Sequence, residues 1–244
     1  MTDLDARTQA KRVVGFAAVD RYVRTGMRIG LGTGSTAVWA IRRVGELLAD
    51  GSLEDVAAVP TSEASAQEAT KCGVPLTTLD EHPRLAVTID GADEVSPTLD
   101  LIKGGGGAHL REKVVAQASD RLVIVVDAAK LVPVLGTTFA VPVEVITMAQ
   151  RPEHDYLESL GATVTLRRTA DGAPFVTDEG NRILDAAFGP IDDPRALLGR
   201  LQQRAGVVEA GLFLDMASVV LVAGTADVSC GDTAAAVREL TRGS

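Results

Sequence analysis

Apolar and polar positions alternate along the first half of the chain in a way that switches repeatedly between helical and strand spacing. In the first twenty-odd residues Val13, Val14, Ala17 and Val23 can share one helix face, with Lys11 and Arg12 near the start. A short strand is predicted at 27–31, a turn at Gly32-Thr-Gly-Ser35, and a second helix at 36–48 carrying Val38, Ile41, Val44 and Leu48. Short strands recur at 56–59, 76–79 and 85–89, with a polar helix at 62–71 between the first two. Residues 99–102 read as another strand, 109–118 as a helix with Leu110, Val114 and Ala118 in line, and 122–126 as a central strand. Strands that alternate with helices predict a mostly parallel sheet flanked by helices, an α/β fold.

After about Gly136 the character changes. Residues 141–146 and 163–166 read as antiparallel-type strands, 175–184 as a hairpin around Asp178-Glu-Gly-Asn181, and 194–203 as a helix. The chain then returns to the main sheet at 218–223 and closes with a helix at 233–240. The expected organisation is a main α/β catalytic domain of residues 1–136 plus 212–244, with a smaller α+β lobe of 137–211 inserted. That lobe carries apolar strands it could hardly cover alone, so it is expected to form a subunit interface.

Composition narrows the partners. At 244 residues, 46% hydrophobic and 23% charged, the chain can bury one sizeable core or a core plus a lobe. A net charge of −9 with 3% aromatic residues gives neither a basic stripe nor stacking platforms, so nucleic acid is a poor partner. The apolar runs at 122–126 and 219–223 are far below membrane-spanning length, and the first residues hold no apolar signal region. A cytoplasmic protein without membrane contact is expected. Cys72 and Cys230 have no partner spacing, and the three histidines (82, 109 and 154) form no metal motif. Neither a disulfide scaffold nor a Cys/His zinc site is expected, and both cysteines read as packing residues.

The candidate chemistry sits in two places. Asp90-Gly91-Ala92-Asp93-Glu94 follows the strand at 85–89, at the edge where open α/β sheets bind ligands. Lys103 then precedes four glycines, and Glu112-Lys113 opens the next helix. Taken singly, these are a solvated acidic turn, a flexible loop, a surface lysine and a surface glutamate near a helix N-terminus. The turn at 30–36 suits a phosphate, because glycine-rich strand-to-helix turns offer backbone N–H groups and the helix dipole. The run Gly32-Thr-Gly-Ser-Thr-Ala37 fits a loose dinucleotide pattern, but the next strand ends without an acidic residue for a ribose hydroxyl. No Gly-Lys-Ser/Thr run marks a nucleoside-triphosphate loop. Thr33, Ser35 and Thr36 add hydroxyls, which suits a phosphate monoester; the plainer function of Ser35 or Thr36 is to cap the helix.

Gly32-Thr-Gly-Ser-Thr36, Asp90-Gly-Ala-Asp-Glu94, Lys103-Gly-Gly-Gly106, Arg111-Glu-Lys113, Asp127-Ala-Ala-Lys130 and Pro142-Val-Glu-Val145 occur in an order and spacing that resemble ribose-5-phosphate isomerase, type A. The resemblance spans nearly the whole chain. It implies an aldose–ketose isomerase that interconverts D-ribose 5-phosphate and D-ribulose 5-phosphate through an enediolate, without cofactor or metal, in the non-oxidative pentose phosphate pathway. It also implies a homodimer or homotetramer. The family's phosphate loop maps onto Thr33, Gly34, Ser35 and Thr36, with Lys11 as a further phosphate contact. Its sugar-binding turn maps onto Asp90, Gly91, Ala92 and Asp93, its oxyanion loop onto Lys103, Gly104, Gly105 and Gly106, its base onto Glu112, and its further ligand-contacting lysine onto Lys130. Glu112 lies on the helix side away from Leu110 and Val114, where it can face a ligand. Asp90 and Asp93 would hold sugar hydroxyls and help open the furanose ring. His109, Gly107 and the segment 167–174 depart from the pattern and are expected to stay clear of the chemistry. Two alternatives come from other classes: a non-catalytic phosphosugar-sensing module, for which the stretch before Met27 leaves no room for a helix-turn-helix, and a CoA transferase-like enzyme on a related fold.

Overall fold

The computed structural model describes residues 3–224 and 237–242. In chain order the elements begin with α1 (Asp3–Tyr22), β1 (Arg28–Leu31), α2 (Ala37–Ala49), β2 (Ala57–Pro60), α3 (Glu63–Lys71) and β3 (Val87–Asp90). Two short strands follow, β4 (Glu94–Val95) and β5 (Leu101–Ile102), then α4 (His109–Gln117) and β6 (Leu122–Asp127). The next group is β7 (Val141–Val145), α5 (Gln150–Ser159), β8 (Thr163–Leu166), β9 (Arg182–Ala187), α6 (Pro194–Gln202) and β10 (Val207–Ala210). The last elements among the described residues are β11 (Leu212–Phe213), β12 (Val219–Ala223) and β13 (Val237–Thr241).

The chain divides into two units, Met1–Ala92 with Arg111–Lys130 and Met216–Ser244, and Asp93–Leu110 with Leu131–Asp215. The second unit therefore takes in 93–110, 131–136 and 212–215 beyond the stretch 137–211 read from the sequence.

In the first unit six strands run in the order β13-β12-β6-β3-β1-β2, parallel except for β13 at the edge. The central strands carry apolar residues on both faces because helices cover both faces, which is why β6 is buried from Leu122 to Val126 without alternation. Register pairs Ile29 with Val87 and Ile89 with Val123, so one branched layer runs across the sheet and packs on Val14, Ile41 and Val44 of α1 and α2. α3 starts cleanly because the Ser62 hydroxyl accepts the Ser65 N–H at 3.0 Å.

The second unit holds a four-stranded antiparallel sheet, β10-β7-β9-β8, and a three-stranded one, β11-β5-β4. Its own core gathers Val143, Val145, Leu157, Leu184 and Leu201. α6 is started by Asp193, whose carboxylate accepts the Ala196 N–H at 2.9 Å, with Pro194 in the first turn.

Several expectations change. The stretch 76–79 makes only an isolated bridge, Ala58 with Leu76, and the chain turns at 79–80. The strand expected at 99–102 joins β4 and β11 in the small antiparallel sheet, not the parallel one. The turn at 178–180 is present, with Gly180 N–H donating to the Thr177 carbonyl at 2.9 Å, but β9 pairs with β7 and β8, and 175–177 is no strand. Of the closing helix expected at 233–240, residues 237–240 lie instead in β13, antiparallel to β12; 233–236 and Cys230 lie outside the described residues. On α4 the face is rotated: Val115 is 3% exposed and Val114 is 45% exposed. Among the described residues no helix is long and apolar enough to cross a membrane.

Candidate active site

In the first unit the ends of β1 and β3 meet at one carboxylate. Asp90 is fully buried, and its Oδ1 accepts the N–H of Thr33 at 3.0 Å and of Gly91 at 2.7 Å. Gly32 makes this approach possible, since a Cβ there would stand 2.1 Å from Asp90 Oδ1. The Thr33 hydroxyl is also engaged within the protein, at 2.8 Å from both Thr61 Oγ1 and Ser62 Oγ, while Ser65 donates to the Gly32 carbonyl at 2.8 Å. Thr33 thus ties the loop to Asp90 and to the start of α3.

Gly34, Ser35 and Thr36 lead into α2. Thr36 stands at the N-cap position but makes no capping bond with its side chain, so the expected cap is absent. Ser35 Oγ accepts instead from Lys11 Nζ at 2.7 Å, joining α1 to the loop. Burial pushes the Lys11 pKa down, and repulsion from Arg7 and Lys130 adds to this against the opposing pull of Asp127. Lys130 ends a 3-10 turn, Ala128–Lys130, directly after β6, and Arg7 reaches Asp127 at 3.4 Å. Three cations therefore gather around the loop, a setting for a dianionic phosphate. Arg7 was missed in the sequence; its spacing of four from Lys11, one helix turn, was the available signal.

Glu112 lies in the first turn of α4 and is 3% exposed, next to an equally buried Lys113. It is no surface glutamate. Arg111, one residue earlier, pairs with Glu63 of α3 at 2.8 Å.

The second unit carries the other group. Asp93 Oδ2 accepts the N–H of Gly105 at 2.8 Å, and its own N–H donates to the Ile102 carbonyl at 2.8 Å. Lys103 is 2% exposed; its N–H donates to the Gly211 carbonyl at 2.8 Å. Gly104 has φ +109, and a Cβ there would meet His109 Nδ1 at 2.8 Å, so both conformation and space require glycine. Gly106 forms part of the turn closed by Gly107, whose N–H donates to the Gly104 carbonyl at 2.9 Å.

Glu94, the third carboxylate of the acidic run, has a structural duty. Its Oε1 accepts the N–H of Phe139 at 2.8 Å and the Thr138 hydroxyl at 2.7 Å, and its Oε2 accepts the Gly136 N–H at 2.6 Å. It fastens the loop before β7. The segment 167–174, expected to stay clear, does not: Arg167 donates to the carbonyls of Gly104 and Gly105 at 2.7 and 3.3 Å.

Within each unit, then, the structure brings together Lys11, Ser35, Thr33, Asp90 and Gly91, and separately Asp93, Lys103 and Gly104 to Gly106. In sequence, Ala92 lies between Gly91 of the first group and Asp93 of the second. The residues are oxygen- and amide-rich with lysines, which suits a phosphorylated sugar.

Comparison with known proteins agrees. The family model for ribose 5-phosphate isomerase A (phosphoriboisomerase A) matches residues 57–227. Ribose-5-phosphate isomerase A of Chloroflexus aurantiacus is 54% identical over 217 residues, 89% of this chain and 91% of that one. Among solved structures, ribose 5-phosphate isomerase from Plasmodium falciparum is similar with a TM-score of 0.90 at 39% identity, covering 97% of this chain and 100% of that one. A D-ribose-5-phosphate isomerase in complex with phospho-erythronic acid is similar with a TM-score of 0.89 at 36% identity, covering 96% and 98%.

Proposed function

The chain belongs to the ribose 5-phosphate isomerase A family, and from that premise we propose a mechanism for its interconversion of D-ribose 5-phosphate and D-ribulose 5-phosphate. Family membership displaces the sensing and CoA transferase-like readings. The observation that carries the mechanism is burial: Asp90, Lys103 and Glu112 are all at most 3% exposed, in a chain with ample surface for charged groups.

Glu112 removes the C2 proton of the open-chain aldose. The electron pair moves to form the C1–C2 double bond of the enediolate as the C1 carbonyl oxygen takes up negative charge. Lys103, with the amides of the glycine loop, stabilises that charge; such preorganised donors contribute roughly 3–4 kcal/mol each. Returning the proton to C1 from the same carboxyl, with the C2 hydroxyl proton moving to the C1 oxygen, completes the ketose. Asp90 and Asp93 hold the sugar hydroxyls and assist ring opening. The phosphate is bound by the loop of Gly34, Ser35 and Thr36 with Lys11 and Lys130, while Thr33 orients Asp90. The phosphate takes no part in bond changes, so these contacts serve affinity and orientation.

The reaction runs in the cytoplasm in an oligomer, a homodimer or homotetramer assembled through the second unit. Met148 at 87% exposed and Val176 at 50% exposed, both in that unit, support this. The function is tested by a coupled assay with ribose 5-phosphate in excess chelator, with phospho-erythronic acid as inhibitor. Undiminished turnover that the acid inhibits is expected. Absence of ribulose 5-phosphate formation, or activity lost to chelator and restored by metal, contradicts the account.

A further inference from the structure

One peptide group in the second unit is gripped at both ends by opposite charges. The carbonyl of Gly104 and the N–H of Gly105 belong to the same peptide plane and point in opposite directions. The carbonyl accepts from Arg167 Nη1 at 2.7 Å, and the N–H donates to Asp93 Oδ2 at 2.8 Å. The peptide dipole therefore lies with its negative end on a guanidinium and its positive end on a carboxylate, an arrangement in which each bond strengthens the other. Arg167 is itself anchored. Its Nε donates to Asp185 Oδ2 at 3.0 Å, its Nη2 contacts the other carboxylate oxygen, and its backbone N–H donates to the Ile183 carbonyl at 2.9 Å, so it stands on the β8–β9 ladder. The fork geometry of arginine allows all of this at once: two donors to Asp185 and a third to the loop carbonyls.

We infer that Arg167 is a positioning residue of the isomerisation, fixing the Asp93 carboxylate through the Gly104–Gly105 peptide. The inference rests on the proposed part of Asp93 in handling the sugar. Glycine on both sides leaves this peptide free to rotate as a plane once its carbonyl loses the guanidinium. The Gly107 N–H that shares the carbonyl at 2.9 Å closes the turn but brings no charge. Rotation would turn the Gly105 N–H away from Asp93, and displacement of about 1 Å near reacting atoms can lower a rate by about a hundredfold.

The test is a double-mutant cycle on the full chain with ribose 5-phosphate. Arg167→Met is expected to lower kcat by about ten- to a hundredfold with KM within about threefold, and Arg167→Lys to recover part of the loss. In an Asp93→Asn background the same Arg167→Met change should lower kcat by less than about threefold, because its target is already gone. If Arg167→Met does not fold, Arg167→Lys carries the same cycle. Parental kcat in the Arg167 variant, or an equal fold loss in both backgrounds, overturns the inference and assigns Arg167 to loop stability alone. Parental kcat in Asp93→Asn by itself overturns the reading of Asp93 and the inference with it, a result distinct from the other two.

Discussion

The Lys103 ammonium lies 5.4 Å from the centroid of the Phe213 ring, and the lysine is 2% exposed. An aromatic face stabilises a desolvated cation by about 2 kcal/mol. Phe213 is presented by β11, which pairs residue for residue with β5 just before Lys103, so the ring and the ammonium are set by one short ladder.

A charge held in this way matters most when negative charge appears on the sugar oxygen. Lys103→Met keeps much of the stem and removes the cation, so kcat should fall by roughly two to three orders of magnitude while a substrate analogue still binds. Lys103→Arg should recover only part, since a planar guanidinium does not fit the position of a compact ammonium. Weaker analogue binding with unchanged turnover at saturation would make Lys103 an anchor.

Phosphate recognition gives the opposite kinetic pattern. Ser35→Ala and Lys11→Met should raise KM more than they lower kcat, and should change little against a sugar without phosphate. Because burial depresses the Lys11 pKa, its charge is lost at lower pH than that of an ordinary lysine. KM should accordingly begin to rise early on the alkaline side, and that early rise should be missing in Lys11→Met. Equal penalties on phosphorylated and unphosphorylated sugars would reduce the loop to a structural turn.

The parallel sheet is legible because β1, β3 and β6 are short segments centred on Ile29, on Val87 and Ile89, and on the unbroken run Leu122 to Val126, separated by glycine turns and helical spacing. The catalytic candidates were legible as residues, while their surroundings were not. On α4, Val114 and Val115 are adjacent valines, and only packing decides which one enters the core. α5 carries no periodic signal, since Gln150–Ser159 offers little more than Tyr156 and Leu157 as an apolar stripe. The sequence predicts a helix over 233–240, whereas 237–240 pair with β12 as β13. Glu94 and Arg167 acquire their roles from carbonyls and amides far away in sequence, information that no local window holds.

Glu144 offers a test of stability. It is 1% exposed and accepts from the Thr177 hydroxyl and from Asn181 Nδ2, each at 2.9 Å, which pins the turn between them. Burial raises its pKa above the ordinary 4.5, although those two hydrogen bonds oppose the rise. Between the unfolded and the folded value the native chain holds a proton that the unfolded chain has released, so this group's contribution to stability falls as pH rises through that window. Glu144→Gln removes the titration. Its Tm relative to the parent should therefore climb from about pH 4 towards neutrality. A pH-independent difference would show that Glu144 titrates alike in both states.

The most direct test concerns Glu112, the proposed single base for both proton steps. Measured in deuterated water with ribose 5-phosphate, the parent enzyme should place deuterium on the sugar carbon, to the extent that the Glu112 carboxyl exchanges its proton with solvent before returning one to C1. Glu112→Gln should lose at least about a hundredfold in kcat with a modest change in KM and lose the exchange in step. Near-normal turnover or exchange in Glu112→Gln would remove Glu112 from the mechanism and contradict the account.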